Sequence, residues 1–184
     1  MVLGLSPRLE LFRRWLQRSA ILAFFVVGSF SLFAQSTSHS GVQTIEATRH
    51  NHQGIEFAKR GDHPAAIKEF REALALDPQS ATALYNLGVS LDQTGQPTEA
   101  IAAFRSAVKL NPSSGAMQLA LGRALLQTNH TDAAGIELER AVRFAPTSAD
   151  AHYALGMFRG QRGDLTGAVA EFLVNLEPEP TPCR

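Results

Sequence analysis

Three features of this 184-residue chain predict an all-α fold, an α-solenoid of four helix-turn-helix hairpins. The first is a period. Pro78, Pro112, Pro146 and Pro180 recur every 34 residues, in step with Gly54, Gly88, Gly122 and Gly156 and with Ala66, Ala100, Ala134 and Ala168. Phe70, Phe104, Leu138 and Phe172 form a fourth column, and Ala73, Ala107 and Ala141 a fifth, broken at Asn175. Ser80, Ser114 and Ser148 make a sixth. The second feature is that no insertion disturbs this register. A period of about 20 to 50 residues marks a stack of small units rather than one globular core. The third is the spacing of apolar residues by three and four within each copy, which is the signature of amphipathic helices.

Taken from the N-terminus, residues 1–18 carry Arg8, Arg13, Arg14 and Arg18, and residues 20–34 are uncharged and almost wholly apolar. A basic start followed by an apolar run of about 7 to 15 residues describes a secretory signal peptide. A membrane span usually needs about 20 apolar residues. Residues 1–34 are therefore read as a signal peptide or an N-terminal membrane anchor, with a buried core helix as the remaining alternative. Cleavage after Ala34 would leave Leu32 three residues before the cut, where a small residue is preferred. As an anchor, the basic flank places the N-terminus in the cytoplasm and the repeats outside. The protein is thus expected to be exported, periplasmic or secreted, or membrane-anchored through residues 20–34. Residues 35–46 are small and polar and are expected to form a linker.

The copy at Ala81–Ser114 shows the local logic. Leu84, Leu87, Gly88 and Leu91 share one helix face over Ala81–Thr94. Ser80 suits the N-cap, because its hydroxyl accepts an early backbone N–H. Gly95 fits just past the C-terminus. Pro97 opens a second helix, where its missing N–H costs nothing. That helix, Pro97–Leu110, carries Ala100, Ile101, Phe104, Ala107 and Val108, and Asn111-Pro112 closes it. Glycine in mid-helix costs about 1 kcal/mol against alanine. Close approach of the two helices, with Ala100 opposite Gly88, is expected to offset that cost. Phe104 is expected to fill the space between its own hairpin and the next.

These columns resemble the tetratricopeptide repeat, whose pattern runs through Leu-Gly, Ala, Phe, Ala and Pro within 34 residues. Leu87-Gly88, Ala100, Phe104, Ala107 and Pro112 match it, as do Leu121-Gly122, Ala134, Ala141 and Pro146. Leu155-Gly156, Ala168, Phe172 and Pro180 match in the last copy. The first keeps Gly54, Phe57, Ala66, Phe70, Ala73 and Pro78, with Gln53 before its glycine. The likeness covers residues 47–180, in copies at about 47–80, 81–114, 115–148 and 149–180, leaving 181–184 as a tail. The family's first-column tryptophan is replaced by His50, Leu84, Gln118 and His152.

The resemblance implies a right-handed superhelix whose first helices line the concave side, and a role in holding a peptide or protein segment there. On that face the first copy places Thr48, Asn51, Ile55 and Ala58, and the second Thr82, Tyr85, Val89 and Asp92. The third places Ala116, Leu119, Arg123 and Leu126, and the fourth Asp150, Tyr153, Met157 and Gly160. Asn51, Ile55, Thr82, Tyr85, Asn86, Val89, Arg123, Tyr153 and Met157 are the candidate partner-binding residues. Asn86 matches an asparagine with which relatives that serve chaperones grip a terminal carboxylate. Ala116 and Ala120 stand where the basic partners would be, so no chaperone-tail binding is expected. Arg123 either meets a partner carboxylate or is a solvated helix residue.

The resemblance also implies one more polar-faced helix after the last repeat, which the remaining residues do not accommodate. The last helix, about Leu165–Leu176, is therefore expected to leave side chains such as Leu173 and Val174 uncovered. Such a patch would drive self-association or partner binding, as part of an envelope complex.

Other function classes find no support in the residues. Beyond residue 34 the chain holds 16 acidic and 13 basic groups, against the clustered cations that nucleic-acid binding needs. His50-Asn51-His52 does not make a metal site, since residues two apart on a helix do not face each other. His39, His63, His130 and His152 are scattered. The glycine column is no phosphate loop, because no Gly-Lys-Ser/Thr follows it. Cys183 is the single cysteine and has no base assigned beside it. Asn129-His130-Thr131 matches the glycosylation pattern, which acts only in a eukaryotic secretory pathway. No catalytic residue, cofactor or metal is expected.

Overall fold

The computed structural model describes residues 41–174. The chain divides into two units, residues 1–45 and 46–184. Of the first, only residues 41–45 are described, and they are helical and exposed. The expectations for residues 20–34, Asn175, Pro180 and Cys183 lie outside the described residues.

Eight helices and no strand are found among the described residues. They are α1 (41–59), α2 (His63–Leu76), α3 (Ala81–Gln93), α4 (Pro97–Leu110), α5 (Gly115–Gln127), α6 (Thr131–Phe144), α7 (Ala149–Gln161) and α8 (Leu165–Val174). They pair as four hairpins: α1 with α2, α3 with α4, α5 with α6, and α7 with α8. The N-terminal boundary differs from the expected linker, since residues 41–46 are already helical. Polar composition alone does not stop a helix. No glycine or proline follows Gly41 in this stretch, and Glu46 pairs with Arg49 one turn on at 2.7 Å.

Helix starts follow the serine column. Ser80, Ser114 and Ser148 accept the N–H of Ala83, Met117 and Ala151 at 3.3, 3.4 and 3.3 Å. Asp62 does the same for Ala65 at the head of α2, 3.1 Å away. The turns inside the hairpins need a left-handed residue. Gly61, Gly95 and Gly163 supply it with φ of 81°, 72° and 83°, and Asn129 takes the same place at 60°.

Closest to each glycine of the column stands a large side chain of the second helix, and the expected alanine is also near in the third copy, where the Ala134 carbonyl lies 3.4 Å from a Cβ on Gly122. A Cβ on Gly88 would lie 2.6 Å from the Phe104 ring, and one on Gly54 would lie 2.6 Å from Phe70. Gly156 meets Phe172 in the same way, at 2.5 Å, and Gly122 meets Leu138 at 2.8 Å. Phe104 packs on Gly88 of its own hairpin and, as expected, also lines the space toward the next, with Ala120 and Ala124. Phe70, Phe104 and Leu138 are at most 2% exposed. Full burial of such a side chain contributes roughly 1.5–3 kcal/mol, which outweighs the glycine cost. The alanines of the third column, Ala66, Ala100 and Ala134, are fully buried beside them.

The order of contacts shows how the hairpins stack. Each of α3 to α8 packs most extensively on its hairpin partner, and α2, α4 and α6 also pack on α3, α5 and α7. Helix α3 touches α5, and α5 touches α7. The backbones of successive even-numbered helices among α2–α8 stay apart, and α2 reaches α4 only by the Arg71–Glu99 ion pair at 3.0 Å among the described contacts. The stack therefore curves toward its odd-numbered helices, which line the inner side.

Candidate functional site

The inner side carries the residues picked out by column. Asn51, Ile55, Tyr85, Asn86 and Val89 are half-buried, and Thr82, Arg123, Tyr153 and Met157 are exposed. Ile55, Tyr85 and Val89 rest on the core that runs through Phe70, Leu87, Phe104 and Leu121. Each tyrosine leans on the aromatic of its own hairpin. Tyr85 lies 6.0 Å from Phe104, and Tyr153 lies 5.8 Å from Phe172, both tilted. This props the phenol outward on a rigid base. Tyr153 is 59% exposed and Met157 43%, a large apolar area to leave in water.

Three depressions follow the odd helices. The first, about 210 Å³, lies between α1 and α3 and is lined by Thr48, Asn51, Asp77 and Thr82. The second, about 200 Å³, lies between α3 and α5 over Tyr85, Val89, Asp92, Ala120 and Arg123. The third, about 360 Å³, lies between α5 and α7 over Arg123, Leu126, Asp150, Tyr153 and Met157. Arg123 and Gln127 line both the second and the third, so these two form one trough. Asp92 and Asp150 flank Arg123 within it. Gln127 was not singled out by sequence; it follows Leu126 on the same turn and its polarity gave no signal.

Asn86, the residue matched to a carboxylate grip, is engaged elsewhere. Its amide donates to the Asn51 side-chain oxygen at 3.3 Å, joining α3 to α1. Of the nine candidate residues, Tyr85, Val89, Arg123, Tyr153 and Met157 share the trough, and Asn51 and Thr82 line the first depression. Ile55 and Asn86 line none of the three.

A larger depression, about 620 Å³, is outside this face. It lies over Asp132, Gly135, Ile136, Phe158, Arg159 and Arg162. Its charges serve the protein itself. Arg162 donates to Asp132 at 2.7 Å and stands 5.8 Å above the Phe158 ring, while Arg159 pairs with Glu171 at 2.9 Å. The trough is the better candidate site, since among the described residues no ion pair of Arg123 is found.

Two histidines are structural, His50 from the triplet that makes no metal site and His152 from the scattered set. His50 lies 2.7 Å from Glu69 through Nδ1, and Arg49 stands 3.2 Å from its Nε2. His152, 5% exposed, lies 2.6 Å from Glu171 through Nδ1 and 2.9 Å from the Pro146 carbonyl through Nε2. They occupy the column of the missing tryptophan, and the carboxylates follow 19 residues on in both copies. That equal separation was the available signal. Among the described residues no group of three His, Cys, Asp or Glu could hold a metal ion, and no helix is long and apolar enough to cross a membrane.

Stacked hairpins with an exposed aromatic trough on the inner side define a helical-repeat scaffold. The chain belongs to the tetratricopeptide repeat family, whose model matches residues 52–115, 90–149 and 119–177. No curated protein matches. Among solved structures, MamA is 28% identical with a TM-score of 0.62, covering 67% of this chain and 72% of MamA. YrrB, described as having an unusual peptide-binding site, is 24% identical with a TM-score of 0.63, covering 71% of this chain and 68% of YrrB. The first repeat domain of Spaghetti (RPAP3), bound to an HSP90 peptide, is 19% identical with a TM-score of 0.63, covering 65% and 95%.

Proposed function

We propose that this chain is a non-enzymatic scaffold that holds a peptide or protein segment against its odd-helix face. The single observation that carries this is the trough from Tyr85 to Met157, in which Tyr85, Val89, Tyr153 and Met157 stand around Arg123 and its flanking aspartates. Rigid aromatics beside one cation suit an extended or helical segment bearing apolar side chains. That YrrB and the Spaghetti domain bind peptides supports the reading. The basic start and apolar run of residues 1–34 support export or membrane anchoring, with the repeats on the outer side.

The test is capture of a partner from envelope extract by the mature chain, wild type against Tyr85→Ala plus Tyr153→Ala. The double variant should lose capture at least tenfold while keeping its helical circular dichroism. Undiminished capture would remove the trough from the reading. N-terminal sequencing of the mature protein separates cleavage from anchoring.

A second reading, self-association through α8, is favoured by a specific observation. Leu165, Val169, Leu173 and Val174 are 69%, 54%, 52% and 49% exposed on that helix.

A further inference from the structure

Helix α8 is not a fourth copy of its counterparts. At the outward positions where the earlier repeats carry Arg71-Glu72, Arg105-Ser106 and Glu139-Arg140, it carries Leu173-Val174. Where they carry His63, Pro97 and Thr131, it carries Leu165. Val169 stands in the column of Ile67 and Ile101, which are each 7% exposed, yet it is 54% exposed. Two adjacent rows result, Leu165, Val169 and Leu173 beside Thr166, Ala170 and Val174. Neither contains a charge.

The opposite end of the stack does not complement this face. Between hairpins, the positions facing the preceding helix are small or apolar and buried, as at Ala83 and Ser90, Ala124 and Phe158. In α1 the same positions hold Arg49 and Glu56, with Gln53 between them. Arg49 bonds Glu46 and Gln53, and Lys59 bonds Glu56. Laying α1 of another copy on α8 would bury these charges against leucine and valine, which is costly. Head-to-tail growth is thereby disfavoured.

We infer that two copies of this chain pair tail to tail about a two-fold axis through their α8 helices. This rests on the self-association reading and adds its symmetry. Rows spaced by four residues are the ridges that interlock when two helices cross at about −50°. Around such an axis Val169 meets Val169 of the second copy, and Leu165 meets Leu173. Small Ala170 beside the centre lets the backbones approach. The face is uncharged, so a second identical face meets no like-charge repulsion. Helix α8 has ten residues, about 15 Å. One such helix per copy makes an interface at the small end, below about 1,200 Å² in total, so pairing is weak and depends on concentration.

The test uses the full chain with Cys183→Ser, which leaves each introduced thiol alone. Val169→Cys should give a disulfide-linked pair. Leu165→Cys mixed with Leu173→Cys should link across chains, and each alone should link poorly. Sedimentation of the wild type at tens of micromolar should approach the mass of two chains. Leu165→Glu and Val169→Glu should each raise the dissociation constant at least about tenfold with unchanged helicity. A wild-type mass of one chain, whether α8 is covered by residues 175–184 or by an unlike protein, overturns both the pairing and the self-association reading. A two-chain mass that survives Val169→Glu, or that comes without the Val169→Cys link, overturns the two-fold arrangement and leaves self-association by another surface.

Discussion

The ring of Phe158 fills the space in which a side chain on Gly135 would stand. A Cβ built on Gly135 would lie 2.5 Å from the tip of that ring. The other junctions solve the same problem the other way round. Ile67 of α2 stands in the column of Gly135, and Ser90 of α3 in that of Phe158; Ile101 and Ala124 repeat the arrangement between α4 and α5. Bulk has moved from the second helix of one hairpin to the first helix of the next.

This exchange predicts strong coupling. Phe158→Ala should cost about 3 kcal/mol by leaving a cavity. Gly135→Ile should cost a similar amount by overpacking, beyond what helix propensity returns. The double variant restores the pattern of the second junction and should cost at least 1 kcal/mol less than about the sum. Urea unfolding of the four proteins checks it; simple additivity would show that the two sites do not share one space.

The buried pair of α7 and α8 gives a second prediction. His152 and Glu171 have side chains only 7% and 12% exposed. Removing His152 leaves the Pro146 carbonyl without its donor and Glu171 with Arg159 alone, so His152→Leu should destabilise by about 1–3 kcal/mol. The second repeat has Leu84 and Ala103 in the same two columns. His152→Leu with Glu171→Ala should therefore recover most of the loss. Thermal melts of both variants decide this.

Asn129 predicts a smaller effect. It holds a φ of 60° where the other three copies have glycine. Asn129→Gly should leave stability within about 0.5 kcal/mol or raise it, while Asn129→Val should cost about 1–3 kcal/mol, since a branched residue resists that backbone.

Acid should act first on α1. The carboxyls of Glu46 and Glu56 are held below their ordinary value of 4.5, chiefly by hydrogen bonds from Arg49 and Lys59 and next by the charges of those groups. A lowered folded value means the contribution is complete above about pH 4.5 and is lost as pH falls through the lower folded values. Both groups are half-exposed at the surface, so the effect is small and screened by salt. Amide exchange in residues 46–59 should quicken below pH 4.5 ahead of α3–α7, and 1 M salt should blunt the change.

Much of the scaffold was legible in the residues, because the 34-residue period places serine caps, left-handed turn glycines and buried alanines in plain columns. The helix bounds of α4 came out as expected from Pro97 and Asn111-Pro112. Contacts that join columns were harder to see. Phe104 reaching Gly88 within its hairpin, and His152 finding Glu171, depend on side-chain reach and direction that the period does not encode. The trough was legible as a face but not as a shape. Tyr85 and Tyr153 share a column, yet one is half-buried and the other exposed, because neighbouring hairpins surround them differently.

Gly54 with Phe70 and Gly88 with Phe104 repeat the same three distances, 2.6, 2.7 and 3.0 Å. Such units are interchangeable parts: a 34-residue block from the front half can be duplicated to lengthen the inner surface without redesigning its neighbours. The rear half offers no such freedom. Its third and fourth blocks are keyed to each other, and any change in length there must carry both together.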